Sequence, residues 1–279
     1  MPRRVVVTGV GPITPIGTGK QAFWKALRAG QSGIRRVDDR IDLSGIDVLI
    51  GAPIVDFDPL VYMDRRRARR IDRATQFALA ATHLAFVDAG LSPSDLDPER
   101  TGVIAGTGIG GLETIEATFA ILMKSGPRRV SPFFVPRLMP NALAGQIAIE
   151  YGLRGPNFGV VSACASGAHA IGMAGELVRA GSLDCAVAGG AEAVLLRIAY
   201  AGFAQMGALS KRNDRPECAS RPFDRDRDGF VMGEGAGMLI LEELAHAQAR
   251  GAHIYAELVG FGMSADAQHI TAPAKDGAG

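Results

Sequence analysis

The sequence predicts an α/β fold, a sheet of buried strands with helices on its faces, and three observations indicate it. Short β-branched runs such as residues 4–8 (RVVVT) are typical of strands buried on both faces of a parallel or mixed sheet. Stretches with apolar residues at helical spacing alternate with them, and the clearest, residues 71–89, is followed by the capping residue Gly90. With 47% hydrophobic residues and 36 glycines among 279, the composition fits a protein with a sizeable core.

The predicted elements alternate along most of the chain. We predict strands at residues 4–8, 103–105, 158–162, 185–188 and 238–241, and helices at residues 20–29, 71–89, 114–123, 141–151, 168–179 and 242–250. The last helix is predicted to have an exposed face. Residues 34–62 are rich in turn residues, which predicts an irregular excursion with one strand near residues 48–50.

The end of the chain repeats the character of its beginning. Residues 254–262 (IYAELVGFG) and residues 4–11 (RVVVTGVG) both read as a buried strand that closes on Gly-x-Gly. We therefore predict an N-terminal half at residues 1–251, essentially complete, and the start of a second half at residues 252–279, of which only the first strand is present.

Charge and composition exclude several classes of protein. The net charge of +1 argues against general affinity for nucleic acid, and no apolar run approaches the ~20 residues of a membrane helix. Residues 1–8 lead directly into a strand, which argues against a signal peptide and predicts a cytoplasmic protein. Three widely spaced cysteines offer neither a disulfide framework nor a metal clip. The arginines among residues 65–70 form either a docking patch for an acidic partner or a solvated helix face.

Cys164 lies at a predicted strand-to-helix corner. Unpaired N–H groups at a helix N-terminus stabilise a thiolate, which is the nucleophilic form of cysteine. Small neighbours permit a sharp turn and close approach of a substrate carbonyl, whose oxyanion the Cys164 N–H could bind: Ala163, Ala165, Ser166 and Gly167. The alternative is a small buried hydrophobe. Cys185, within a strand, and Cys218, in a loop without nearby cations, are predicted to be unreactive.

A nucleophilic cysteine usually works with a histidine base, and no candidate is convincing. His83 and His246 lie on solvent faces of predicted helices, and His169 points away from Cys164 at helical pitch. Only His269, three residues after Asp266, could form a local Cys-His-Asp arrangement. The sequence therefore predicts a nucleophile without a clear base.

Two further motifs resemble binding loops without meeting their requirements. Residues 106–111 match GxGxxG, but residues 128–130 (RRV) stand where a dinucleotide site needs an acidic residue, so we predict a close-packed glycine turn. Residues 224–229 (DRDRDG) begin like a calcium loop, but Gly235 occupies the position of the bidentate glutamate. We predict local ion pairs there and no metal site.

Several segments together resemble the ketoacyl synthases, and among them the β-ketoacyl-[acyl-carrier-protein] synthase II type. The resemblance extends over nearly the whole chain and is carried by these segments: VVVTGVG, GTGIGGLET, SPFFVP, YGLRGPN, VSACASGAHAIG, AGGAE, RPFDRDRDGFVMGEGAGMLILEE and IYAELVGFGMSADAQHIT. It implies a thiolase-like, layered αβαβα fold and a homodimer. It also implies that Cys164 accepts an acyl group from acyl carrier protein and that malonyl carrier protein is decarboxylated to attack it.

The resemblance assigns roles to further residues of this sequence. Ile109 and Phe203 fall where the family lines its acyl pocket, and Thr271 where it contacts phosphopantetheine, the arm that carries the substrates in place of a separate cofactor. Cys164, Ala165, Ser166 and Gly167 would shape the elbow and oxyanion site. The acidic carrier protein would dock on Arg66, Arg67, Arg69, Arg70, Arg128 and Arg129.

Departures from the family pattern leave two alternatives open. The family's catalytic histidines and lysine lie downstream of residue 279, Gly207 replaces a common docking arginine, and residues 195–197 (LLR) replace a polar turn. We therefore predict that the isolated chain does not condense. One alternative is a non-catalytic partner or incomplete fragment that needs a second chain. The other is a thioester hydrolase that uses Cys164, His269 and Asp266.

Overall fold

A mixed β-sheet with helices on both faces forms the body of the protein in the computed structural model, which describes residues 3–277. Met1, Pro2, Ala278 and Gly279, the outer ends of the two predicted halves, lie outside the described residues. The strands are β1 (Val5–Thr14), β2 (Gly17–Thr18), β3 (Arg35–Arg36), β4 (Ile50–Gly51), β5 (Thr101–Gly106), β6 (Asn157–Val160), β7 (Cys185–Glu192), β8 (Gly235–Glu243) and β9 (Ala256–Glu257).

The helices alternate with these strands as predicted. They are α1 (Lys20–Arg28), α2 (Arg65–Ala68), α3 (Arg73–Ala89), α4 (Leu112–Ser125), α5 (Phe134–Leu138), α6 (Ala142–Tyr151), α7 (Ser166–Arg179), α8 (Arg197–Gln205) and α9 (Leu244–Ala249). Helix α3 ends at Gly90, which adopts the predicted left-handed cap conformation with φ of 62°. No helix within residues 3–277 is long and apolar enough to cross a membrane.

The main sheet has the strand order β2-β1-β8-β7-β5-β6, with β9 also paired to β1. Strands β5, β6 and β7 are mutually parallel, whereas β8 runs antiparallel to both β7 and β1. In the parallel part, the carboxyl ends of β5, β6 and β7 therefore meet at one edge of the sheet. That edge carries the segments after Gly106, Val160 and Glu192.

Helix α3 packs on one face of the sheet through small residues. Its N-terminus is capped by the buried side chain of Asp72, which accepts a hydrogen bond from the Ala74 N–H at 3.1 Å. The helix lies so close to β1 that a Cβ added at Gly11 would overlap the Ala81 carbonyl. Helix α6 joins α3 on this face, where the largest cluster of buried apolar side chains lies.

Helix α7 covers the opposite face. Ala170, Ala174 and Val178 pack against buried side chains of the sheet, including Ile104 and Leu241. The result is three layers, helix, sheet and helix, of the predicted αβαβα arrangement. The α/β class is thereby confirmed, and the division into halves at residue 251 stays a prediction.

A smaller substructure sits beside these layers. Strands β3 and β4 pair within residues 34–62, close to the predicted strand. The buried Tyr200 of α8 donates its hydroxyl to the Ile50 carbonyl at 2.9 Å, which ties this excursion to the body. Apolar side chains from both parts form a separate core cluster.

Two predictions about the last third of the chain are wrong. Residues 242–250 do not form one helix: Glu242 belongs to β8 and is fully buried, and the Glu243 carboxylate caps α9 by accepting from the His246 N–H at 2.9 Å. Residues 254–262 do not form a long buried strand either. Only Ala256–Glu257 pair with β1, because the segment then crosses α7, where a Cβ at Gly172 would overlap the Phe261 ring. Val259 remains 84% exposed.

Candidate active site

The Cys164 corner is a strained turn fixed by one serine. Cys164 is the middle residue of a 3₁₀ turn (Ala163–Ala165) between β6 and α7. Ala163 has φ of 50°, a left-handed conformation that a residue with a Cβ rarely adopts. The Ser166 hydroxyl compensates: it donates to the Ala163 carbonyl at 2.7 Å and accepts from the Ser162 N–H at 2.9 Å. The turn leaves Cys164 exposed.

Glycines allow the start of α7 to approach the sheet closely. A Cβ added at Gly106, the last residue of β5, would overlap the Ser166 carbonyl. A Cβ added at Gly190 of β7 would lie 2.9 Å from the Gly106 carbonyl oxygen and 3.1 Å from Gly167 Cα. Three backbones therefore meet in space that a side chain would fill, and their contact sets the position of Cys164.

A cavity of about 1110 Å³ opens in front of Cys164. Its wall includes the predicted elbow residues Ser166 and Gly167, while Ala165 is not part of the wall. The structure also brings together here three residues that are far apart in the sequence and were predicted to bind the substrate: Ile109, Phe203 and Thr271. A cavity of this size can hold an acyl chain and part of a carrier arm beside the thiol.

The glycine-rich turn after β5 forms one side of the cavity, as predicted. It carries Ile109 and is held by Glu192, at the end of β7. The Glu192 carboxylate accepts hydrogen bonds from the Gly108 N–H at 2.6 Å and from the Thr107 hydroxyl at 3.0 Å. Burial raises the pKa of Glu192 above its ordinary value, against these hydrogen bonds, which lower it. Glu192 was not predicted as a site residue, because its hydrogen-bond partners in the turn lie 84 and 85 residues away in the sequence.

A second carboxylate of the cavity wall, Glu234, is part of a structural network. It accepts from the Ile54 N–H at 2.9 Å and forms an ion pair with Arg73 at 2.7 Å. Beside Arg73, the buried Asp72 accepts from both the N–H and the hydroxyl of Thr114. The sequence analysis assigned none of these roles, because the partners come from segments distant in sequence.

The histidines do not form a triad with Cys164. His269 Nδ1 accepts from the N–H groups of Thr271 and Ala272, each at 3.1 Å, and Asp266 accepts from the backbone of its own loop. The Asp266–His269 hydrogen bond that a hydrolase triad requires is therefore not formed. Within residues 3–277, no hydrogen bond joins a histidine to the Cys164 thiol. His169 bonds instead to the Ser162 hydroxyl at 2.7 Å.

The predicted docking arginines fall into two groups. Five are exposed, namely Arg66, Arg69, Arg70, Arg128 and Arg129. The Arg70 guanidinium lies 4.7 Å from the centre of the Phe133 ring, in the segment that follows Arg128 and Arg129. Arg67 differs, because it turns inward to pair with Glu150 and to donate to the Gln146 carbonyl at 2.8 Å. Its position fits a structural role.

The other two cysteines have distinct surroundings. Cys185 is buried in β7 as predicted, and burial, reinforced by the negative charge of Glu242, raises the pKa of its thiol well above the ordinary value. The prediction that Cys218 has no nearby cation is wrong: the Arg215 guanidinium lies 3.7 Å from its sulfur. The charged loop at residues 224–229 contains the predicted ion pairs, including Arg221–Asp224 at 2.8 Å.

An exposed thiol at a strand-to-helix corner, facing a cavity at the carboxyl ends of the parallel strands, fits the class of thiol acyltransferase sites. The family model "Beta-ketoacyl synthase, N-terminal domain" matches residues 2–247. The chain therefore belongs to the ketoacyl synthase family, as its motifs indicated.

Curated relatives and solved structures agree with this assignment. The chain is 49% identical to 3-oxoacyl-[acyl-carrier-protein] synthase 2 of Vibrio cholerae over 277 residues, covering 99% of this chain and 67% of that protein. It is 50% identical to the protein of the same name from Synechocystis, covering 99% and 66%. It thus spans about two thirds of the length of these relatives.

Among solved structures, the ishigamide ketosynthase/chain length factor superposes with a TM-score of 0.91 at 38% identity, covering 99% of this chain and 67% of that chain. A type II polyketide ketosynthase, AntDE, solved in complex with its acyl carrier protein AntF, superposes with a TM-score of 0.88 at 35% identity and the same coverage. Both likenesses extend over the described fold, including the Cys164 corner.

Proposed function

We propose that this chain carries the acyl-accepting site of a 3-oxoacyl-[acyl-carrier-protein] synthase that acts in fatty acid elongation. The Cys164 thiolate attacks the thioester carbonyl of an acyl carrier protein, and the phosphopantetheine thiolate leaves. In the complete reaction, malonyl carrier protein loses carbon dioxide and its carbanion attacks the Cys164 thioester. A carbon–carbon bond forms, the bond from carbon to the Cys164 sulfur breaks, and the thiolate is regenerated.

The exposure of Cys164 at the cavity is the observation that carries this proposal. A free cysteine is usually buried, whereas here a strained turn and three closely packed glycines hold the thiol at the surface of a cavity. We propose Cys164 as the nucleophile, with its N–H as an oxyanion donor and with Ala165, Ser166 and Gly167 shaping the turn. Ile109 and Phe203 would line the acyl chain, and Thr271 would contact the phosphopantetheine.

The histidines support a division between the two steps. Because no histidine within residues 3–277 lines the cavity or is hydrogen-bonded to Cys164, the described residues supply no histidine donor for decarboxylation. Loss of one such preorganised donor costs on the order of 10² to 10³ in rate. We therefore propose that this chain alone accepts an acyl group and does not condense it.

Intact-mass spectrometry tests the first step. The chain is incubated with dodecanoyl carrier protein, and we expect one dodecanoyl group on Cys164, none on a Cys164→Ser variant and normal labelling of a Cys218→Ser control. Malonyl carrier protein is then added. Absence of acylation would refute the proposed function, and release of a 3-oxoacyl product would refute the division between steps.

The arginine surface is proposed as the carrier-protein docking site, an assignment that opposite charge supports. It comprises the five exposed arginines of the two segments, Arg66, Arg69, Arg70, Arg128 and Arg129, of which Arg70 packs on Phe133. We expect Arg129→Glu to slow acylation by carrier protein at low salt without slowing acylation by a small thioester. Arg225→Glu is the matched control, because Arg225 is exposed and lies in another loop. An equal effect of both variants would refute the assignment.

A homodimer is also proposed. Strand β6 lies at the edge of the sheet with α6 beside it. Helices α4, α5 and α6 and the residues that follow α5 and β6 expose apolar side chains: Ile115, Phe119, Leu122, Met123, Val135, Met139, Ile149 and Val161. Large exposed apolar patches mark interfaces. Sedimentation velocity should show a dimer that Met123→Glu disrupts. Leu27→Glu should not disrupt it, because Leu27 is exposed on α1, which packs on β1 and β2 at the opposite end of the sheet from β6. A monomer would favour a partner chain of different sequence.

A cytoplasmic location of the protein stays a prediction.

A further inference from the structure

A carboxylate attaches the glycine-rich turn that carries Ile109 to the end of β7, in addition to the hydrogen bond that the Thr107 N–H donates to the Val160 carbonyl of β6 at 3.2 Å. Glu192 Oε2 accepts from the Gly108 N–H at 2.6 Å, and Glu192 Oε1 accepts from the Thr107 hydroxyl at 3.0 Å. The Thr107 oxygen in turn accepts from the Gly110 N–H at 3.2 Å. A relay from Glu192 through Thr107 therefore holds the backbone on both sides of Ile109.

Glu192 also lies next to the turn of the nucleophile. A Cβ added at Gly108 would lie 2.9 Å from Glu192 Oε2 and 3.5 Å from the Ala163 carbonyl oxygen. The Glu192 carboxylate and the Ala163 carbonyl, which precedes Cys164, therefore both lie beside Gly108. Both turns belong to the cavity wall.

The chemistry of Glu192 differs from that of the other carboxylate in the wall. Glu234 is neutralised by Arg73 at 2.7 Å. Glu192 forms no ion pair with any of the residues 3–277, and its hydrogen bonds go to the turn itself. A half-buried carboxylate without a cation costs stability. Its placement is therefore explained by the turn it holds.

We propose that Glu192 is a positioning residue for acyl-chain selection: by holding residues 107–110, it keeps Ile109 in the path of the acyl chain. The inference rests on the proposed function, since it concerns the acyl chains that reach Cys164. Short chains occupy only the space beside the thiol, whereas long chains must pass Ile109, whose side chain is 41% exposed. Loosening the turn thus favours long chains over short ones.

The test compares acylation rates of Cys164 in the full chain with N-acetylcysteamine thioesters of butyric, octanoic, dodecanoic and hexadecanoic acid. Glu192→Gln keeps the size of the side chain but replaces one acceptor oxygen by a donor that faces the turn. We expect the ratio of the hexadecanoyl rate to the butyryl rate to rise about tenfold, the scale of losing one hydrogen bond to a charged group. Alkylation of Cys164 by iodoacetamide should stay unchanged, because the thiol itself is not displaced.

Control variants distinguish a failure of this inference from a failure of the proposed function. Glu176→Gln, at an exposed glutamate of α7, should leave the ratio unchanged. Thr107→Val breaks the relay with little change of shape, so it should raise the ratio in the same direction and decides the matter if Glu192→Gln does not fold. If the unmodified chain accepts acyl groups and the ratio stays constant or falls in the variants, the inference alone is wrong. If no thioester acylates the unmodified chain, the proposed function fails with it.

Discussion

Each end of the ladder between β7 and β8 has a glutamate, and the two glutamates differ in burial and in hydrogen-bond partners. At one end Cys185 lies opposite Glu242, and at the other Glu192 lies opposite Gly235, beside the Cys164 turn. The first end is closed: Glu242 is fully buried and accepts hydrogen bonds from Thr8, from His246 at 2.7 Å and from Arg250 at 2.6 and 2.9 Å. The second end is open to the cavity.

This difference shows how packing decides the role of a residue type. Burial of Glu242 acts to raise its pKa, but the hydrogen bonds from Arg250 and Thr8 outweigh burial, and the pKa lies below its ordinary value. Glu192 forms no ion pair among residues 3–277, and burial keeps its pKa above the ordinary value. At the closed end, the charged form of Glu242 therefore stabilises the fold. At the open end, Glu192 stabilises a turn. The two cysteines differ in the same way, because Cys185 at the closed end is buried and Cys164 beside the open end is exposed.

The largest expected difference between the two ends is in thiol reactivity. Iodoacetamide should modify Cys164 in the folded protein at least about a thousandfold faster than Cys185, because Cys185 reacts only when β7 opens. Peptide mapping after timed alkylation measures both rates. Denaturant should abolish the difference, and comparable rates in native buffer would contradict the comparison.

At the closed end, Glu242→Gln should strongly destabilise the fold. It leaves the Arg250 charge without its partner, and breaking a buried ion pair costs about 3 kcal/mol or more in free energy of unfolding. Urea unfolding followed by circular dichroism measures this. Glu176→Gln, which removes an exposed ion pair with Arg179, should cost less than about 1 kcal/mol. Equal losses in both variants would show that burial of Glu242 does not have the assigned effect.

At the open end, Gly106→Ala should impair reaction more than folding. The added methyl group would overlap the Ser166 carbonyl and displace the start of α7. A displacement of about 1 Å at a reacting group can cost on the order of 10² in rate. The rate of Cys164 acylation is the measurement, and Gly145→Ala, where an added Cβ meets no atom, is the control. Unimpaired acylation by Gly106→Ala would refute the role of the glycine contact.

A smaller effect concerns pH. The pKa of Glu242 is lower in the folded than in the unfolded chain, so its contribution is fully present above the ordinary glutamate pKa of about 4.3 and is lost as the pH falls through the folded value. The difference in unfolding free energy between the unmodified chain and Glu242→Gln should therefore be constant above about pH 5 and shrink in more acidic buffer. A difference that grows on acidification would have the wrong sign.

The sequence predicted the elements whose signals are local. The helix ending at Gly90 and the strands at β5, β7 and β8 were found because their apolar patterns and caps depend on neighbouring residues. Glu242 was assigned to a helix because its hydrogen-bond partner Thr8 lies 234 residues away in the sequence. The exposed course of residues 258–263 was missed for the same reason, since it depends on packing against α7.

The part of the candidate site that lies in one continuous motif was predictable from the sequence. Cys164 and its small neighbours are contiguous, and the resemblance supplied Ile109, Phe203 and Thr271, which the fold places around one cavity. The carboxylates were not predictable. Glu192 and Glu234 acquire their roles from residues brought close only by the sheet, and Arg67 was grouped with exposed arginines because a run of identical residues does not reveal which one turns inward.

The close contact among Gly106, Gly167 and Gly190 divides the cavity into a part that can be redesigned and a part that cannot. A side chain introduced at Gly106 or Gly190 would overlap backbone atoms, so mutation at these two positions has no neutral route to a new specificity. The cavity wall also includes large side chains, among them Ile109, Phe203 and Met206. Diversification of the acyl specificity, by evolution or in the laboratory, is thereby confined to these side chains, while the backbone contact beneath the thiol stays unchanged.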